Sequence, residues 1–196
     1  MITNNHVLGE EDLKEGEEIH ISFIDDKEKR HSKTIKMDKN RNFVTFKKLN
    51  GDEIDATIIE LRPGQDKLDE QDFLEIDENL MDGEIKTEYE RRDIYIIQYK
   101  KGEEIATSDG VLGEIKKGNK SYTLSHTCDT DRGSSGSPII LYNHKVIGLH
   151  RGWRPGRKPG SEFNCATLLK CPIQEYYKKL NKKITMVYKI DKKYEE

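Results

Sequence analysis

Three side chains in this 196-residue chain are of the types that cleave acyl bonds when they are brought together: a hydroxyl, an imidazole and a carboxylate. Ser135 lies in "GSSGSP", where Gly133 and Gly136 leave the backbone around it bare and an apolar run, "IILY", follows. An uncrowded approach suits a serine nucleophile, and the amides of Gly133 and Ser135 could meet the negative charge that develops on a carbonyl oxygen. By itself the same stretch also describes a tight turn. A serine hydroxyl is a weak nucleophile without a base, and the base needs an orienting carboxylate. Of six histidines, His20, His31 and His144 lie among charged or turn residues and read as surface groups. His126 sits in a strand-like run close to the serine loop and reads equally well as a structural residue. His6, between "ITNN" and "VL", ends a short apolar strand and starts a turn, where a side chain can project into a cleft. Most of the 37 acidic residues belong to charge runs. Asp55 differs: in "EIDATIIEL" it opens a largely apolar strand, and a carboxylate at the mouth of a buried strand needs a partner.

The elements that must hold these residues are mostly strands. "EIHISFI", "RNFVTF", "ATIIEL", "DIYIIQY", "KSYTLSH", "SPIILY" and "KVIGLH" are short, rich in Ile, Tyr, Phe, Thr and Val, and punctuated by turn residues. Such a series predicts an all-β barrel or sandwich. "EEDLKEG" predicts a helical turn or two. "CPIQEYYKKLNKK" predicts a C-terminal helix near residues 172–182, with Pro172 near its start and lysines at its C-terminal end. The run from 183 to 196 reads as a C-terminal extension that could open a further segment. Charged residues make up 36% of the chain, yet the apolar residues cluster, which predicts a folded domain with a charged surface. With 34 basic and 37 acidic residues interspersed, there is no concentrated basic patch to imply a nucleic-acid partner. No apolar run reaches the ~18 residues of a membrane helix, and no secretory leader opens the chain. Cys128, Cys165 and Cys171 are too few for a disulfide framework and read as buried thiols, so a cytoplasmic location is expected. No metal site or cofactor is expected.

"TNNHV", "DATIIEL" and "GSSGSP", in that order, resemble the trypsin-like serine peptidases, whose triad runs His, Asp, Ser along the chain. The resemblance is closest to the glutamyl-endopeptidase-like and HtrA-like branches, and it covers residues 2 to about 180. It implies His6 as general base, Asp55 as its orienter, Ser135 as nucleophile, and the amides of Gly133 and Ser135 as the oxyanion hole. It also implies a domain over 1–182 built of two antiparallel β-barrels with a C-terminal helix and the site between the barrels. "VIGLHRG" and "EFNCAT" resemble the walls of the specificity pocket, which brings in His150, Gly152 and Asn164. His150 suits an acidic substrate side chain, Asp129 a basic one, and a purely structural His150 would leave small or apolar groups. Arg151 follows His150 in the strand and should face the other way. Ser134 stands where the digestive enzymes carry the aspartate that receives a freed N-terminus. Only five residues precede His6, so the first barrel is expected to be incomplete and the chain N-terminally truncated. The implied activity is serine endopeptidase action on peptide or protein substrates. The competing expectation is a catalytically silent, peptidase-like binding or regulatory module.

Overall fold

The computed structural model describes residues 1–24, 29–49, 51–68, 73–82, 84–101, 104–117, 122–155 and 162–180. The C-terminal half is a closed six-stranded barrel made of β6 (Asp93–Lys100), β7 (Glu104–Lys117), β8 (Tyr122–His126), β9 (Pro138–Leu141), β10 (Val146–Pro155) and β11 (Glu162–Leu168). Around the barrel the order is β10-β11-β8-β7-β6-β9, antiparallel throughout. Alternation drives the closure: β6 sends Ile94, Ile96 and Gln98 inward, while the residues between them are less buried. Ile94 and Ile96 join Ile115, Leu124, Ile139, Ile147 and Leu149 in one apolar core. Gln98 breaks that apolar row, and its use appears at the site.

The N-terminal half forms two open sheets. One has the order β1-β5-β4, from β1 (Ile2–Thr3), β5 (Asp52–Ile59) and β4 (Phe43–Leu49). The other is the ribbon of β2 (Glu18–Ile24) and β3 (Arg30–Lys36). A 3-10 turn at Glu10–Leu13 closes on Gly9 and adds Leu13 to a small core with Ile19, Ile35, Met37 and Ile59. The helices α1 (Pro63–Asp66), α2 (Asn79–Asp82) and α3 (Ile85–Tyr89) connect the halves. Leu80, Ile85 and Tyr89 cap one end of the barrel core. Finally α4 (Lys170–Lys179) carries Cys171 back onto Ile54 and Ala56 of the first sheet.

The all-β expectation with a closed barrel and a C-terminal helix holds. Several details differ. The three short helices between β5 and β6 were not expected, because none is long enough to show a helical period. Strands β3 and β7 lie in charged or glycine-broken sequence that hides their alternation; β7 alone is 14 residues long. Asp55 sits inside β5, not at its opening, because polar Asp52 and Glu53 already pair with Leu49 and Lys48. The C-terminal extension at 183–196 lies outside the described residues. All three cysteines are buried and none is in a disulfide. Among the described residues no helix is long and apolar enough to cross a membrane, and no cluster of metal-ligating side chains occurs.

Candidate active site

His6 enters the cleft from a turn. The Asn4 carbonyl accepts the N–H groups of Val7 and Leu8, which swings the chain out of β1 and lifts residue 6 off the sheet. The His6 imidazole is bonded to Asp55, Nδ1 to Oδ2, at 2.6 Å. The other oxygen, Oδ1, accepts the backbone N–H of His6 at 2.9 Å. One carboxylate thus holds both the ring and the backbone of the same residue. With the Nδ1 proton shared with Asp55, Nε2 is left as the basic nitrogen. Asp55 is nearly buried while the His6 side chain is about half exposed (10% and 47%).

Ser135 is presented by a loop whose turns need glycine. Gly133 and Gly136 have φ of 91° and 84°, in the left-handed region. Gly136 is also pressed against the first strand, where an added Cβ would lie 2.8 Å from Thr3 Oγ1. The loop carrying Ser135 is therefore docked on the segment that leads to His6. From below, Ser134 Oγ donates to Gln98 Oε1 at 2.5 Å, and Gln98 Nε2 donates to the Asp129 carbonyl at 2.9 Å. The polar break in β6 is thus a brace for this loop. The N–H groups of Gly133 and Ser135 make no hydrogen bond among the described residues, whereas those of Ser134, Gly136 and Ser137 all do.

Two cavities adjoin along Gly152 and Trp153. One, of about 550 Å³, is lined by Ser135, Gly133, Asp129, His150, Gly152 and Asn164, among others. The second, of about 400 Å³, is lined by His6 and Asp55 together with Lys47, Glu53, Arg151 and Cys165. The structure therefore gathers His6 and Asp55 directly and sets Ser135 in the neighbouring cavity. No hydrogen bond joins His6 to Ser135 among the described residues. The anticipated pocket residues all line the first cavity, but the chemistry of two of them, Asp129 and Asn164, differs. The Asp129 carboxylate is engaged by Lys100 at 2.6 Å and is largely exposed. Asn164 is consumed internally, accepting from Thr130 Oγ1 and donating to the Cys128 carbonyl, both at 2.8 Å. Gly152, at φ 144°, follows a β-bulge that turns Arg151 away from the cavity, as strand alternation predicts.

His126 was left open by the sequence and takes a definite place. Its Nε2 lies 3.0 Å from Nδ1 of His150 in the buried wall of the first cavity. Burial pushes His150 down to about 4, with the nearby His6 as the lesser cause. Burial likewise pushes His126 down to about 3, with His150 as the lesser cause. Both rings are therefore neutral at pH 7. Sequence reasoning missed Gln98 and Ser134 as braces; the one available signal was a glutamine on the apolar face of "DIYIIQY".

A family model for the trypsin-like peptidase domain matches residues 1–149. Among solved structures, the HtrA-type protease AlgW with a tripeptide is 12% identical at a TM-score of 0.55, over 92% of this chain and 52% of that one. Deg5 is 16% identical at a TM-score of 0.57, over 90% and 76%. A Glu endopeptidase in complex with MPD is 14% identical at a TM-score of 0.51, over 91% and 79%. The chain spans about half the length of the AlgW chains it matches. No curated protein sequence matches it. Since the family model spans most of the chain and these neighbours share its fold, the chain belongs to the trypsin-like peptidase domain family.

Proposed function

We propose that the chain is a serine endopeptidase acting through an acyl-enzyme at Ser135. The observation that carries this reading is the His6–Asp55 bond, Nδ1 to Oδ2 at 2.6 Å, at the edge of the cavity that holds Ser135. His6 Nε2 takes the Ser135 hydroxyl proton as Oγ bonds to the substrate carbonyl carbon. The amides of Gly133 and Ser135 receive the oxyanion. Collapse breaks the C–N bond, with the proton passing from His6 to the leaving amine. Water, deprotonated by His6, then hydrolyses the ester and returns the proton to Ser135. The His6–Ser135 bond forms as substrate closes the cleft, since such bonds are often long in unliganded sites. Peptides are the proposed ligands, in keeping with the tripeptide carried by AlgW.

For the side chain preceding the cleaved bond we propose glutamate or aspartate. Lys100 already neutralises Asp129, which removes the counter-charge a basic side chain would seek. His150, neutral and backed by His126, can donate one hydrogen bond to a carboxylate. Peptide libraries should show a preference for acidic residues that His150→Ala abolishes; a preference for Lys or Arg would refute this assignment.

A fluorophosphonate probe tests the chemistry. Wild type should label, Ser135→Ala should not, and His6→Ala should slow labelling by roughly three orders of magnitude or more. The missing His6–Ser135 bond is what a silent, peptide-binding module would also have. Equal labelling of wild type and Ser135→Ala, or none of either, selects that alternative.

A further inference from the structure

Two β-bulges face each other where the halves of the molecule meet. On β5, Glu53 pairs with Lys48 and Ala56 with Phe46, so Ile54 and Asp55 together oppose Lys47. Residues in a bulge lose ladder partners, and their buried carbonyls must be satisfied elsewhere. Side chains satisfy three consecutive carbonyls here. Arg151 Nη1 donates to Glu53 at 2.8 Å, Thr167 Oγ1 to Ile54 at 2.7 Å, and Asn4 Nδ2 to Asp55 at 3.0 Å. Asp55 itself has φ of 49°, a conformation that a residue with a Cβ keeps only where its surroundings impose it.

The facing bulge lies on β10. His150 pairs with Ala166 and Gly152 with Cys165, which leaves Arg151 as the extra residue, turned out of the barrel. Its side chain is only 6% exposed. One guanidinium nitrogen lies 3.9 Å from Glu53 Oε2, and the buried Nε has no hydrogen-bond partner. A buried cation so loosely paired is a poor stabiliser of the fold by itself. The residue before it holds the other end of the site. The His150 N–H donates to the Ser137 carbonyl, and the His150 carbonyl accepts the Gly136 N–H. Adjacent residues of one strand therefore grip the Ser135 loop and the Asp55 bulge.

We propose that Arg151 is a positioning residue: it registers the bulge carrying Asp55, and through it His6, against the loop carrying Ser135. Thr167 supports the same bulge from β11. This inference rests on the reading of His6, Asp55 and Ser135 as a triad.

The experiment compares the full chain with Arg151→Met, Arg151→Lys and Thr167→Val, with folding checked by near-ultraviolet circular dichroism. The first readout is the downfield proton resonance of the His6–Asp55 bond, assigned by its loss in His6→Ala. The second is fluorophosphonate inactivation, resolved into kinact and KI. Arg151→Met is expected to shift or broaden the downfield proton. It should also lower kinact by roughly 100-fold, the scale of an ~1 Å misplacement, with KI unchanged. Arg151→Lys should restore part of both, because one ammonium donor can reach the Glu53 carbonyl. A folded Arg151→Met with wild-type kinact and an unmoved downfield proton overturns the proposal. Should Arg151→Met fail to fold, Thr167→Val must show the same pair of changes, and a wild-type result there overturns it equally. Failure of the wild type to label would sink the triad reading, while the downfield proton would still decide for or against Arg151.

Discussion

Gly136 shows how far a single position constrains the site. Its φ of 84° excludes a Cβ on conformational grounds, and Thr3 Oγ1 excludes it again on steric ones. Gly136→Ala should therefore cost about 1–2 kcal/mol in backbone strain, lowering Tm by about 2–8 °C. It should also push the Ser135 loop away from the His6 segment and slow probe labelling. Thr3→Ala added to Gly136→Ala removes the collision and leaves the strain. Labelling should then recover in part while Tm does not, and parallel recovery of both would show that the contact does not set the geometry. The glycines and the serine could be read in the sequence, because a bare loop before an apolar run is a local pattern. That Gly136 touches Thr3 could not, since 133 positions separate them and only the fold brings them together.

At the scale of elements, the turn between β3 and β4 is tied to α1 by a buried ion pair. Arg41 meets Asp66 through two parallel hydrogen bonds of 2.8 and 2.7 Å, and both side chains are essentially inaccessible. Arg41 also donates to the carbonyls of Lys36 and Glu60, and Asp66 accepts the Arg62 N–H. Burial acts to raise the Asp66 carboxyl, but Arg41 and the Arg62 amide outweigh it and hold Asp66 below its ordinary value. Arg41→Leu strands a buried carboxylate, so stability measured by urea unfolding should fall by about 3–5 kcal/mol. Asp66→Asn, which keeps the shape and removes the charge, should also be destabilising, since it strands the guanidinium. A change below ~0.5 kcal/mol in both would show the pair to be dispensable. In the sequence these two residues are lost among 34 basic and 37 acidic ones, because charge type carries no mark of burial.

Across the whole molecule, the buried His126–His150 pair makes folding stability depend on pH in a definite direction. Both rings titrate near 6.5 when unfolded but only at about 3 and about 4 when folded. Below pH 6.5 the unfolded chain therefore binds more protons than the folded one. The stability contributed by the neutral pair is complete above that pH and drains away as pH falls toward 4. Between pH 7 and 5 the loss should be on the order of 3 kcal/mol for the pair. In His126→Gln, which keeps a polar partner for His150 and removes one titrating group, the acid slope should be about half as steep. Equal slopes in the two proteins, measured by urea unfolding across this range, would show that the pair does not control acid stability.

Features that depend on near neighbours can be read along the chain. Alternation in "DIYIIQY" and "SPIILY" determines strands, the lysines of "YYKKLNKK" suit a helix end, and "GSSGSP" determines a bare loop around a hydroxyl. The order His6, Asp55, Ser135 was legible because each stands in a short motif of its own. How those motifs meet is a property of the folded chain. Folding placed Asp55 in a bulge, turned Arg151 across the boundary between the halves, paired His126 with His150, and bound Asp129 to Lys100. The physical reason is that a bulge shifts strand register by one residue and redirects a side chain, while the partner that captures it lies on a distant element. Glu53 and Arg151 are 98 positions apart, and no local pattern in either segment specifies the other.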